Sequence, residues 1–117
     1  MNFNNSDKAI YLQIADRICD EVLSGKYKDD DRIPSVREYS VLLEVNTNTV
    51  VKAYDFLARE EVIYNKRGLG FFITPGAKDH ILKFRREEFM QQTLPEVFRQ
   101  MRLLGIEFDE VAKRYNS

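Results

Sequence analysis

The stretch RIPSVREYSVLLEVNTNTVVKAYDFLAREEVIYNKRGLGFFI, residues 32–73, decides the fold: two helical patterns joined by a tight turn precede two β-prone runs joined by a basic, glycine-containing loop. Pro34-Ser35-Val36-Arg37-Glu38 opens the first of these helices, because the Ser35 oxygen accepts from an exposed backbone N–H and Glu38, three residues on, completes a capping box. Val36, Tyr39, Leu42 and Leu43 supply its apolar side, and the pattern ends near Glu44. Asn46 caps the next helix, in which a rotation of about 100° per residue gathers Val50, Ala53, Tyr54 and Leu57 on one side and Asn48, Lys52, Asp55 and Arg59 on the other. Val62-Ile63-Tyr64 and Phe71-Phe72-Ile73 then flank Lys66-Arg67-Gly68-Leu69-Gly70 as a short hairpin.

Working outward, Ile10, Ile14, Ile18 and Val22 recur at helical spacing with charged residues between them, which predicts a helix from about Asp7 to Ser24 with Asp7 as N-cap and Gly25 as its left-handed stop. Residues 26–32 form a polar connection. The expected fold class is α+β and mainly helical: a winged helix-turn-helix of three helices and a two-stranded wing over residues 1–75, followed by a helical tail over residues 76–117. In the tail, Ile81, Leu82, Phe84, Phe89 and Met90 belong to one helical pattern and Val97, Phe98, Met101 and Leu104 to the next. Thr93-Leu94-Pro95-Glu96 reads as a break between them, with Thr93 and Glu96 as a second capping box; the restarted helix stops at Gly105, and a last short helix runs from about Phe108 to Tyr115.

The 117 residues are enough for one ordinary domain or a small domain with an appendage, and 44% apolar content supports a core. No apolar run spans a bilayer and no secretory pattern opens the chain, so the expectation is a cytoplasmic protein with no membrane partner. Cys19 is the single cysteine, so no internal disulfide forms, and its place beside Ile18 predicts core lining. A net charge of −1 argues against a strongly basic nucleic-acid binder, but Asp29-Asp30-Asp31 and Glu107, Asp109 and Glu110 lie outside residues 32–73, so cations can still gather on one face.

Enzyme chemistry finds no support in the pattern, and no catalytic residues, cofactor or metal are expected. His80 is the lone histidine with no Cys or second His at ligand spacing, which predicts a surface histidine. Gly68-Leu69-Gly70 leads into a strand instead of a helix, so it offers no helix N-terminus to a pyrophosphate. The layout instead points to duplex DNA: the N-terminal end of the second helix of such a pair enters the major groove, which nominates Asn48 and Lys52, and two adjacent cations beside a wing glycine, Lys66 and Arg67, suit phosphate contact. Asp55 and Arg59, farther along, read as solvated or paired with each other.

Ile10-Tyr11-Leu12-Gln13-Ile14, Gly25, Ile33-Pro34-Ser35-Val36-Arg37-Glu38, Thr49-Val50, Ala53-Tyr54, Leu57, Ile63 and the Lys66-to-Gly70 loop together resemble the N-terminal DNA-binding domain of GntR-type bacterial transcription regulators. The short helical tail resembles the YtrA subfamily, whose C-terminal part serves chiefly for dimerisation and whose members commonly control genes for ATP-binding-cassette transporters. By this resemblance Ser35 and Arg37 belong to the DNA-facing set, Arg37 reaching a base edge or phosphate; Thr49 contacts phosphate, and Gly68 approaches the minor groove. Thr47 stands where many relatives carry a base-reading arginine, Asn46 replaces their capping serine, and Glu61 replaces a common glycine before the wing.

The expectation is therefore a sequence-specific DNA-binding transcription regulator, a repressor that binds an inverted-repeat operator as a homodimer through Phe84, Phe89, Phe98 and Met101. The alternative is a winged-helix docking module that binds proteins and not DNA. So short a tail leaves little room for an effector cavity inside one protomer, and a small-molecule effector, if any, is unknown.

Overall fold

The computed structural model describes residues 8–117 in the order α1 (Ile10–Leu23), α2 (Val36–Leu43), α3 (Thr47–Arg59), β1 (Ile63–Lys66), β2 (Gly70–Ile73), α4 (Ala77–Glu88), a π turn (Phe89–Thr93), α5 (Leu94–Leu104) and α6 (Phe108–Tyr115). This is the winged helix-turn-helix followed by a long helical tail. The chain divides into two compact units after Leu82.

The α1 stripe buries Ile14, Ala15, Ile18 and Val22. The helix starts at Ile10 with Ala9 as N-cap and no side-chain cap; the expected cap Asp7 lies outside the described residues. Its end follows the glycine rule. Gly25 takes φ 87°, its N–H donates to the Val22 carbonyl, and the Lys26 N–H donates to the Glu21 carbonyl.

In α2 the capping box is present in both directions: the Glu38 N–H donates to Ser35 Oγ at 3.1 Å and the Ser35 N–H to Glu38 Oε1 at 3.0 Å. Leu42 departs from expectation, since it is exposed beside an exposed Val41 while Tyr39, Ser40 and Leu43 are buried. A helix of eight residues packs one narrow stripe, and Leu42 sits a full 100° step from Leu43. Asn46 caps α3 by accepting the Asn48 N–H at 2.7 Å, and Val50, Ala53, Tyr54 and Leu57 fill the core. Two tyrosine hydroxyls stitch these helices internally: Tyr39 donates to Glu21 and Tyr54 to the Pro34 carbonyl, and burial pushes both phenols well above their usual range.

β1 and β2 pair antiparallel with Ile63 opposite Ile73 and Lys66 opposite Gly70. The connection before α2 adds a strand-like edge that the residue pattern does not announce: the Asp30 N–H donates to the Ile73 carbonyl, the Ile73 N–H to the Asp31 carbonyl and the Ile33 N–H to the Phe71 carbonyl, with a bridge between Arg32 and Phe72. The three aspartates serve this edge. Asp29 accepts from the Gly76 N–H, Asp30 from the Tyr64 hydroxyl and Asp31 from the Lys28 N–H. Glu61 adopts φ 60°, so the backbone turn before the wing is made by a residue that tolerates it poorly.

Ala77 and Ile81 of α4 complete the core of the first unit. The expected break at Thr93 is absent. Thr93 has helical backbone angles and caps nothing, and Glu96 pairs with Arg99 at 2.6 Å instead. Helical structure passes through because the wide turn at Phe89–Thr93 immediately precedes Pro95, whose ring would clash with the carbonyl four residues back in a regular α-helix. Gly105 then ends α5 at φ 67°, and α6 forms as expected. His80 is exposed, and Cys19 is half-buried against the core. Among the described residues, no helix is long and apolar enough to cross a membrane.

Candidate nucleic-acid interface

The first turn of α3 is polar and open. Thr47 and Asn48 are exposed and Thr49 is half-buried. Because Asn46 holds the Asn48 N–H, the turn is fixed before any ligand arrives, and the helix end carries partial positive charge toward whatever faces it. A hydroxyl chain locks α3 to α2: Thr47 Oγ1 lies 3.5 Å from Ser40 Oγ, and Ser40 Oγ donates to the Arg37 carbonyl at 2.8 Å. Thr47 is thus partly engaged inside the motif. Arg37, the second residue of α2, is exposed.

Ser35 spends its side-chain oxygen on the Glu38 N–H, so it shapes the start of α2. Glu38 in turn is held below the usual carboxylate range, first by the Ser35 backbone N–H and then by the Ser35 side chain. Lys52 is exposed, but its ammonium sits 4.9 Å from the centre of the Tyr11 ring, and Tyr11 packs edge-on against Phe56. Lys52 therefore leans toward α1, and using it on a base requires giving up a contact worth about 0.5–1 kcal/mol at exposed sites. Asp55 and Arg59 are solvated.

At the wing, Lys66, Arg67 and Gly68 are all exposed, with the Lys66 ammonium 5.5 Å from the Phe72 ring centre. Gly68 takes φ 80°, and the loop closes by the Leu69 N–H donating to the Lys66 carbonyl at 2.8 Å. Arg32 is a residue the sequence pattern does not single out. Its Nε donates to the Leu69 carbonyl at 3.2 Å and its Nη2 lies 3.6 Å from Glu38 Oε1, so one side chain joins the wing tip to the α2 capping box. The available signal was its position directly before Ile33-Pro34-Ser35, together with a glycine at position 70.

Of the tail residues expected at a dimer contact, Phe84, Phe89 and Phe98 are exposed in the single chain, whereas Met101 is buried and offers little surface. Among the described residues, no group of three or more His, Cys, Asp or Glu is placed to hold a metal.

A three-helix core, a two-stranded wing and an open, capped second helix define a winged helix-turn-helix of the DNA-binding, gene-regulatory class. Residues 10–73 match the family of bacterial regulatory proteins called the gntR family, and the chain belongs to it. It is 33% identical over 106 residues to the HTH-type transcriptional repressor YtrA of Bacillus subtilis, covering 91% of this chain and 81% of that one. It is also 33% identical over 106 residues to the uncharacterized HTH-type transcriptional regulator YhcF of the same organism, covering 91% and 86%. A solved structure of a GntR-family protein from Bacteroides thetaiotaomicron superposes with a TM-score of 0.76 at 52% identity, covering 92% of this chain and 94% of that one. The chain is accordingly a GntR-family DNA-binding transcription regulator and not an enzyme, and a docking module without DNA binding is not its class.

Proposed function

We propose that this regulator is a repressor that binds an inverted-repeat operator as a homodimer, with the two α3 helices in successive major grooves and half-sites one helical turn, roughly 34 Å, or more apart. The observation that carries the reading is that Asn48 at the start of α3, Arg37 on α2 and Lys66-Arg67 on the wing are all exposed, with the Thr47–Ser40–Arg37 chain joining α3 to α2 behind them. The repressor role draws on the similarity to YtrA, which is named as one. Pairing of two copies draws on Phe84, Phe89 and Phe98, aromatic side chains exposed along helices of the tail.

Arg37 and Asn48 read or orient, Lys52 joins them when it leaves Tyr11, Thr47 and Thr49 line the turn, and Lys66, Arg67 and Gly68 meet the backbone. Ser35 acts through the pose of α2. Without an arginine at Thr47, the operator lacks the bidentate guanine contact of arginine-bearing relatives. Mobility shifts over salt and operator variants test the division of labour. Lys66→Ala weakens binding to every sequence and lowers the salt slope by about one, whereas Arg37→Ala costs roughly 1–3 kcal/mol and relaxes discrimination at one position. Equal loss on all duplexes for both variants would contradict it.

A further inference from the structure

We propose that Leu69 is an apolar minor-groove probe and that Arg32 is the residue that positions it; the proposal rests on the operator-binding reading of the winged unit. Leu69 is 59% exposed at the tip of a hairpin whose loop is Arg67-Gly68-Leu69, and it takes no part in the core. Its backbone is nevertheless tied on both sides, the N–H to the Lys66 carbonyl at 2.8 Å and the carbonyl to Arg32 Nε at 3.2 Å. An exposed loop tip with both backbone groups engaged fixes the position of its Cα and the direction of its Cα–Cβ bond, while the side chain keeps its rotamers.

Arg32 is itself anchored, by the bridge with Phe72 and by Glu38 at 3.6 Å. Gly70 makes room for it: a Cβ there would lie 3.1 Å from Arg32 Nε, and the backbone φ of 115° favours glycine. A leucine side chain carried on a tethered backbone cannot bond phosphate, which the neighbouring Lys66 and Arg67 already suit. Thymine methyls, the apolar surface of the major groove, lie where α3 would sit in the operator-binding reading, which leaves a wing the minor-groove wall of sugars and the faces of partly unstacked bases, where leucine side chains serve as wedges. Unstacking is easiest at pyrimidine–purine steps. Leu69 therefore adds a preference for TA or CA/TG steps flanking the base pairs that α3 reads.

The test uses the full chain and a duplex it enriches from a random pool, with anisotropy titrations over salt and over flanking steps. Leu69→Ala is expected to lose affinity on the order of tenfold, the share of one buried apolar side chain, with the salt slope unchanged and the flanking-step preference gone. Leu69→Met keeps most of both. Arg32→Lys retains the charge but lacks the fork that reaches Leu69 and Glu38 together, so it follows Leu69→Ala in losing the step preference; a merely electrostatic Arg32 would leave it intact. Wild-type affinity and step preference in Leu69→Ala, or a change confined to the salt slope, overturns the probe, and a wild-type-like Arg32→Lys overturns the positioning. Leu69 lies outside the core, so its variants keep the fold and decide the probe even if Arg32→Lys does not fold. If the wild-type chain enriches no duplex, the operator-binding reading itself falls and takes this proposal with it.

Discussion

The winged unit and the tail both consist of amphipathic elements, yet they use them in opposite ways. Through Leu82, the apolar stripes of α1, α2 and α3 close on one another and on the wing, and Ile14, Val50 and Ile73 are completely buried. From Lys83 onward, Met101 is the one buried apolar residue among the described residues, while Phe84, Phe89, Met90, Leu103, Leu104 and Phe108 remain exposed. The same periodicity makes a core where the chain returns to supply a facing surface, and an open face where it does not.

The sharpest way to break this contrast is to truncate one side chain in each region. Leu57→Ala, within the buried face of α3, should lower unfolding stability by about 2–5 kcal/mol in denaturant titrations. Phe84→Ala combined with Phe89→Ala should barely move the unfolding of dilute protein, but weaken self-association by about 1–3 kcal/mol in sedimentation experiments. A loss of protomer stability matching that of Leu57→Ala would show that the tail aromatics belong to a core after all.

A smaller effect tests strain inside the winged unit. Glu61→Gly should stabilise it by about 0.5–1 kcal/mol in thermal melts, because glycine accepts the φ of 60° that glutamate holds at a cost. A destabilised variant would mean that the Glu61 side chain contributes more than its backbone costs.

The smallest effect belongs to the tail surface. Hydrogen bonds from Arg99, with Gln100 beside it, lower the Glu96 carboxyl from 4.5 to about 2. A group whose folded pKa lies below its unfolded value stabilises above the unfolded pKa and loses that contribution as pH falls through the folded one. Helical circular dichroism should therefore decline between pH 4.5 and 2 in the wild type by slightly more than in Glu96→Gln, and identical profiles would discard the pair as a contributor.

Much of the winged unit was legible because its signals are local. Ser35 with Glu38, Asn46 and Gly25 act on their own backbone within a few residues, so type and spacing announce the helix ends. Leu42 was misread because periodicity says which residues share a side, not how wide the covered stripe is. The false break at Thr93 has a different cause: Thr-x-x-Glu before a proline has the composition of a cap, but a π turn relieves Pro95 while keeping the helix continuous. At the interface, exposure of Asn48, Arg37, Lys66 and Arg67 followed from the pattern, whereas the placement of Lys52 over Tyr11 and the reach of Arg32 to Leu69 did not.

By itself the order of residues determined the elements of the winged unit, most of their ends and the polar side of α3, since capping, helical periodicity and turn preference operate between neighbours in the chain. Tertiary structure alone decided which apolar stripes are satisfied, that residues 30–33 edge the wing, and that a guanidinium from before α2 braces a loop 37 positions away. Those outcomes depend on contacts between segments remote in sequence, whose energies exist only once folding has brought them within reach.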